Sequence, residues 1–316
     1  GSSSRASFIS LRFVVRSIIV MSTMTFLVLL MSTLVASASE GPWTTPAGVH
    51  NLYFGIFHEQ FQCFEALGKQ SPKCGSGQPV DSPVRQVGVK IFYRYGLDRN
   101  WDFAVAVPFG RSQMVGQSSK ASQKTTTGLG LLEARFRRRL GVTGPFVWSA
   151  SAGMRTGVFH RKTRGRLTNL GEGTTDFSAT VSTGLTGLLG PRFYTASWDA
   201  TYFYRLPLQV DDKLGGIPGD ELRLSSVFDY AVTSRMGLGV SADGFHRLTG
   251  LALDFGEIAK YGDDRWAVLA ASQLKLGGRI MLYAKGVMPY LQLGVQRVVW
   301  AKNNPTDATF VELVVG

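Results

Sequence analysis

Tyr194-Thr195-Ala196-Ser197-Trp198-Asp199-Ala200-Thr201-Tyr202-Phe203-Tyr204 is the stretch on which the fold turns. Tyr194, Ala196, Trp198, Ala200, Tyr202 and Tyr204 fall on one side of an extended chain, with Thr195, Ser197, Asp199 and Thr201 on the other. Side chains alternate across a strand with period two, whereas a helix needs apolar residues at i, i+3 and i+4. The stretch is therefore a strand with one apolar and one polar face.

The same pattern recurs from His50 onward. Trp101, Phe103, Val105, Val107 and Phe109 oppose Asp102, Ala104 and Ala106; Phe177, Ala179 and Val181 oppose Asp176, Ser178 and Thr180. Twelve such segments are expected: 49–62, 84–96, 100–114, 126–139, 145–158, 175–188, 191–206, 219–232, 235–248, 264–276, 279–296 and 306–316. Short turns built from Gly, Asp, Asn and Pro, among them 96–100, 141–144, 189–191, Thr233-Ser234 and Gly277-Gly278, alternate with longer polar stretches such as 63–83, 115–125 and 159–174. Short turns at one end and long loops at the other mark an outer-membrane barrel, with the turns in the periplasm. In hydrocarbon every backbone N–H and C=O must be paired internally, so strands can cross only as a closed cylinder. The expected fold is all-β: a closed antiparallel transmembrane β-barrel of about twelve strands spanning 39–316. It belongs in the outer membrane of a Gram-negative bacterium.

Composition agrees. Charged residues are 18% of the 316 and aromatics 11%, with 37 Gly. Ile18–Ala38 carries no charge, follows Arg5, Arg12 and Arg16, and closes on Ala36-Ser37-Ala38, so residues 1–38 read as a cleavable signal peptide with an upstream extension. The formal charge of +12 includes those three arginines, which leaves +9 for the rest. In a soluble protein that excess would suggest nucleic acid. Here it sits in alternating strands and reads as lumen and loop charge, with no nucleic-acid partner. Cys63 and Cys74 are expected to form a disulfide that staples a loop.

Two local motifs add a resemblance. Gly41-Pro42-Trp43-Thr44-Thr45-Pro46-Ala47-Gly48 is followed by Tyr95-Gly96-Leu97-Asp98-Arg99-Asn100-Trp101 and Val105-Ala106-Val107-Pro108-Phe109. Together they resemble the outer-membrane barrel family named for the meta-pathway of phenol degradation, although Asp98-Arg99-Asn100 replaces the usual turn residues. The resemblance covers about the first quarter of the mature chain. It implies a barrel that moves small solutes, aromatic compounds among them, between periplasm and outside, and it carries no binding residues over.

With the apolar face toward lipid, the other face lines a lumen. Lys90, Arg94, Glu133, Arg135, Arg137, Arg155, Asp176 and Asp199 are the expected pore-lining residues, with Asp102, Arg223, Asp229 and Lys275 on the same face. A basic wall facing an acidic one would favour anionic or zwitterionic solutes. Arg161, Lys162, Arg164 and Arg166 form a basic external loop suited to lipopolysaccharide phosphates, or simply a solvated loop. The four His have no serine in a nucleophile setting beside them and no cluster of ligands, so neither catalysis, a metal nor a cofactor is expected. The expected function is a passive channel for small solutes. The alternative is a non-conducting barrel whose loops bind lipopolysaccharide or partners; the oligomeric state stays open.

Overall fold

The computed structural model describes residues 42–64, 78–114, 125–157, 174–210, 213–216, 218–250, 270–283, 289–302 and 305–316. In chain order the strands are β1 His50–Phe64, β2 Gln78–Gly96, β3 Trp101–Met114, β4 Thr125–Leu129, β5 Leu132–Thr143, β6 Phe146–Thr156, β7 Thr175–Leu189 and β8 Arg192–Arg205. They continue as β9 Leu208–Val210, β10 Lys213–Gly216, β11 Glu221–Ala231, β12 Met236–Arg247, β13 Ser272–Tyr283, β14 Pro289–Lys302 and β15 Thr309–Val315. Each barrel strand pairs antiparallel with its sequence neighbour, and β1 also pairs with β15, which closes the sheet. β9 and β10 form a separate small hairpin. Since β4 and β5 are two parts of one strand, the barrel has twelve strands among the described residues.

That interruption has a local cause. β3 pairs with β5 through 101–106 and with β4 through 109–113. Between them stands Pro108, which has no N–H to give the ladder; its carbonyl accepts from the Gly130 amide at 2.8 Å. The partner strand steps around the proline at Gly130-Leu131.

Burial is inverted relative to a water-soluble protein. Asp102, Asp176 and Ser149 are fully enclosed, while Ile56, Phe136 and Val181 are more than half exposed. In water such an apolar wall would be an aggregation hazard; against acyl chains it is the stable arrangement. Inside, Asp102 and Asp176 meet arginines on neighbouring strands, Arg94 and Arg155. Trp101, Tyr202 and Trp300 remain exposed near strand ends, as interfacial aromatics do.

The turns follow side-chain chemistry. Asp98 Oδ1 accepts from the amides of Asn100 and Trp101, at 2.6 and 2.9 Å, and Thr233 Oγ1 does the same for Arg235 and Met236. Gly144 and Gly190 hold φ of 58° and 61°, which side chains resist.

One expected turn is wrong. Gly277-Gly278 lies inside β13, and the connection falls instead between Tyr283 and Pro289, so both of the last expected hairpin's strands shift toward the C-terminus. The glycine serves clearance. Gly277 stands between Ser241 and Gln296 in the ladder, and the Gln296 amide donates to Ser241 Oγ at 3.3 Å across it. A Cβ there would meet Gln296 Cγ and Ser241 Oγ at 2.6 Å. The expected Cys63–Cys74 disulfide, through Cys74, and the basic loop 161–166 lie outside the described residues.

Candidate functional site

The registers fix which side chains enter the lumen. Asp102 stands opposite Arg137, and Glu133, Arg155, Asp176 and Arg205 succeed one another from β5 to β8. All eight expected pore-lining residues occupy the inward face, and the structure sorts them into three levels.

At the turn end a strap crosses the mouth. Pro42 and Thr45, upstream of β1, are buried inside the barrel. The Thr45 amide donates to Asp102 Oδ2 at 2.8 Å, and the Trp43 carbonyl accepts from Arg94 and, at 3.2 Å, from Arg137 Nη1. Asp102 also holds Arg94 at 2.5 Å and Arg137 at 3.7 Å. On the far side, Pro42 and Trp43 pack against Gly184 of β7, where an added Cβ would meet Pro42 Cδ at 2.8 Å. Gly96 closes on the carbonyl of Pro46. Arg94 and Arg137 therefore hold a backbone segment in place.

Toward the loop end lies a second knot. Asp176 accepts from Arg155 and from Thr174 Oγ1 at 2.9 Å, with Arg205 Nε at 3.4 Å. Glu221 meets Arg223, Arg205 and Arg155 at 3.0, 3.7 and 3.8 Å. The Arg155 guanidinium lies over the Phe203 ring at 3.8 Å, and that of Arg223 at 5.6 Å. Charge reversal at Arg155 is thus expected to impair folding: Arg155→Glu places three carboxylates together, and a fall in the heat-modified gel-shift midpoint would register it. Lys90→Gln, which adds no carboxylate beside Glu312, is the comparison.

Between the knots is a cavity of about 320 Å³. Lys90, Arg135, Arg155, Arg223, Lys275 and Arg279 line it, against Glu133, Asp199, Asp243 and Glu312. The charges are mixed around the ring, so the one-sided basic wall expected from sequence is absent. Arg279 is bound to Asp229 by two hydrogen bonds of 2.8 and 2.6 Å, and Lys275 lies 4.0 Å from Glu59. The formal excess is two positive charges, much of it held in ion pairs.

Glu221, Arg205, Arg247, Asp243, Arg279 and Glu312 are lumen residues that the sequence reading passed over. The parity of each strand, carried through the register, is the signal that finds them. One exclusion also needs correction: Ser272 stands beside His246, its Oγ 2.7 Å from Nδ1. Both residues are ladder partners on the outer wall, and among the described residues no carboxylate orients the imidazole. The contact is a cross-strand hydrogen bond.

Among the described residues no three His, Cys, Asp or Glu gather as a metal site. No protein-family model matches the sequence, and no curated relative does. Solved structures do resemble the fold. An outer membrane channel from Pseudomonas putida F1 is 14% identical, with a TM-score of 0.58 over 89% of this chain and 99% of that one. The NanC porin follows at 5% identity and a TM-score of 0.48 over 84% and 98%, and the TodX monoaromatic hydrocarbon channel at 11% and 0.35 over 86% and 90%. The fold is that of the outer-membrane β-barrels.

Proposed function

We propose that this protein is a passive outer-membrane channel for small solutes, exported by residues 1–38 and oriented with its tight turns in the periplasm. The observation that carries the reading is the charged, water-compatible cavity enclosed by an apolar wall. A lumen of this kind lowers the barrier to a polar solute that hydrocarbon would refuse. The lining presents both signs of charge, which suits anionic or zwitterionic solutes, small aromatic acids among them. The motifs at 41–48 and 95–109 support membership of the phenol meta-pathway barrels, and the 161–166 loop supports contact with lipopolysaccharide.

The strap favours a second reading, a barrel closed at rest. Planar-bilayer recording separates the two. Steady single-channel current from the wild-type protein supports the channel, and silence at all voltages supports the closed barrel. In the conducting case, Lys90→Glu with Arg135→Glu should move the reversal potential under a salt gradient toward cation preference. An unmoved reversal potential would remove the lumen assignment of these two residues.

A further inference from the structure

We infer that the outer wall carries, at its loop end, a docking surface for a phosphorylated glycolipid, built around Arg85, Arg111 and Arg297. The inference goes beyond solute passage and rests only on the loop end facing the outer leaflet.

The observation is a sequence of three adjoining rows on the lipid face, read strand by strand from β14 through β15, β1, β2 and β3 to β4. The innermost row is Leu293, Leu313, Ile56, Val89, Phe109 and Leu129. Every residue in it is apolar. One step toward the loops the row is Val295, Val311, His58, Val87, Arg111 and Thr127. One further step gives Arg297, Thr309, Gln60, Arg85, Gln113 and Thr125. Every residue in that row is polar. The rows therefore pass from apolar to polar within two steps of the ladder, with Val299 and Trp300 of β14 exposed beyond Arg297, which places the interfacial band, where aromatics and headgroups mix, across the two outer rows.

The chemistry of the hydrophilic rows is specific. Arg85, Arg111 and Arg297 are exposed, the two rows hold no acid, and among the described residues none of the three has an ion-pair partner. Arg85 and Arg111 are diagonal neighbours on β2 and β3, close enough for both guanidinium groups to reach one phosphate. Arg297 stands three strand spacings away, roughly 14 Å. Two positive positions separated in this way suit a headgroup with two anionic substituents. Gln60, Gln113, Thr125, Thr127 and Thr309 lie among them and offer amides and hydroxyls to sugar oxygens. Guanidinium groups at a headgroup interface pair with phosphate at little desolvation cost, because both partners keep contact with water. The turn end also exposes arginines: Arg192 and Arg235 stand on separate turns, and Arg99 lies near Arg138, whose guanidinium is over the Trp101 ring at 5.4 Å.

The test uses full-length protein in detergent, with bisphosphorylated lipid A, its fully dephosphorylated form, phosphatidylglycerol and phosphatidylcholine as probes, read by native mass spectrometry. The expected result is retention of bisphosphorylated lipid A over each of the other three. The triple variant Arg85→Gln, Arg111→Gln, Arg297→Gln should weaken that retention by about tenfold or more, while Arg99→Gln, Arg192→Gln, Arg235→Gln leaves it unchanged. Equal retention of the dephosphorylated form or of phosphatidylglycerol would overturn the inference, the first by removing the phosphate and the second by removing the sugar. The comparison of the four lipids needs only wild-type protein, so it decides the matter even where the variant assembles poorly. Single-channel current is independent of this patch, so a failed lipid result leaves the channel reading standing.

Discussion

Asp102→Ala is expected to release the strap and raise single-channel conductance several-fold. Asp102 is fully enclosed, accepts from Arg94 and the Thr45 amide, and forms an ion pair with Arg137. Removing it takes away the carboxylate that neutralises the two guanidinium groups at the Trp43 carbonyl. Loss of one partner from a buried ion pair costs about 3–5 kcal/mol, and here the loss falls on the contacts that hold residues 42–46 across the mouth. The barrel itself is closed by backbone ladders that Asp102 does not enter through its side chain, so the circular dichroism spectrum should keep its β signature. Asp102→Asn is the graded comparison: it can still accept from Thr45 but no longer neutralises the arginines, and its conductance should fall between the two. A conductance unchanged in both variants would show that this knot does not hold the strap.

Val181→Arg tests the opposite face. Val181 is 52% exposed on the outer wall, in the ladder between Ala150 and Ala200. A guanidinium there must enter hydrocarbon, at about 2–4 kcal/mol if the position is mid-membrane and less toward the interface. Urea titration of folding into phospholipid vesicles should show a lower midpoint for Val181→Arg, while Lys90→Gln in the lumen stays closer to wild type. If the two variants titrate alike, the assignment of faces is wrong.

The faces were legible because period two is a local property. Alternation in Tyr194–Tyr204 or Trp101–Phe109 fixes which side chains share a side, and closure follows once lipid is the only solvent that tolerates the apolar one. Partnerships were not legible, because they depend on register between strands. Arg94, Arg137 and Arg155 read as free basic charge until Asp102, Asp176 and Glu221 arrive beside them. Gly277-Gly278 misled for a related reason: a glycine pair marks a turn when backbone conformation demands it, and here the demand came from a side chain on another strand crossing above. The motif at 41–48 was visible as a resemblance, but its course through the mouth depends on Gly184, more than a hundred residues away.

The strap also sets an order on assembly. Pro42 and Trp43 rest on β7, and their polar anchors come from β2, β3 and β5, so no lodging exists for them until at least half the cylinder has formed. Residues near the beginning of the chain are consequently among the last to settle, and until they do, each new barrel stands unstoppered at one end.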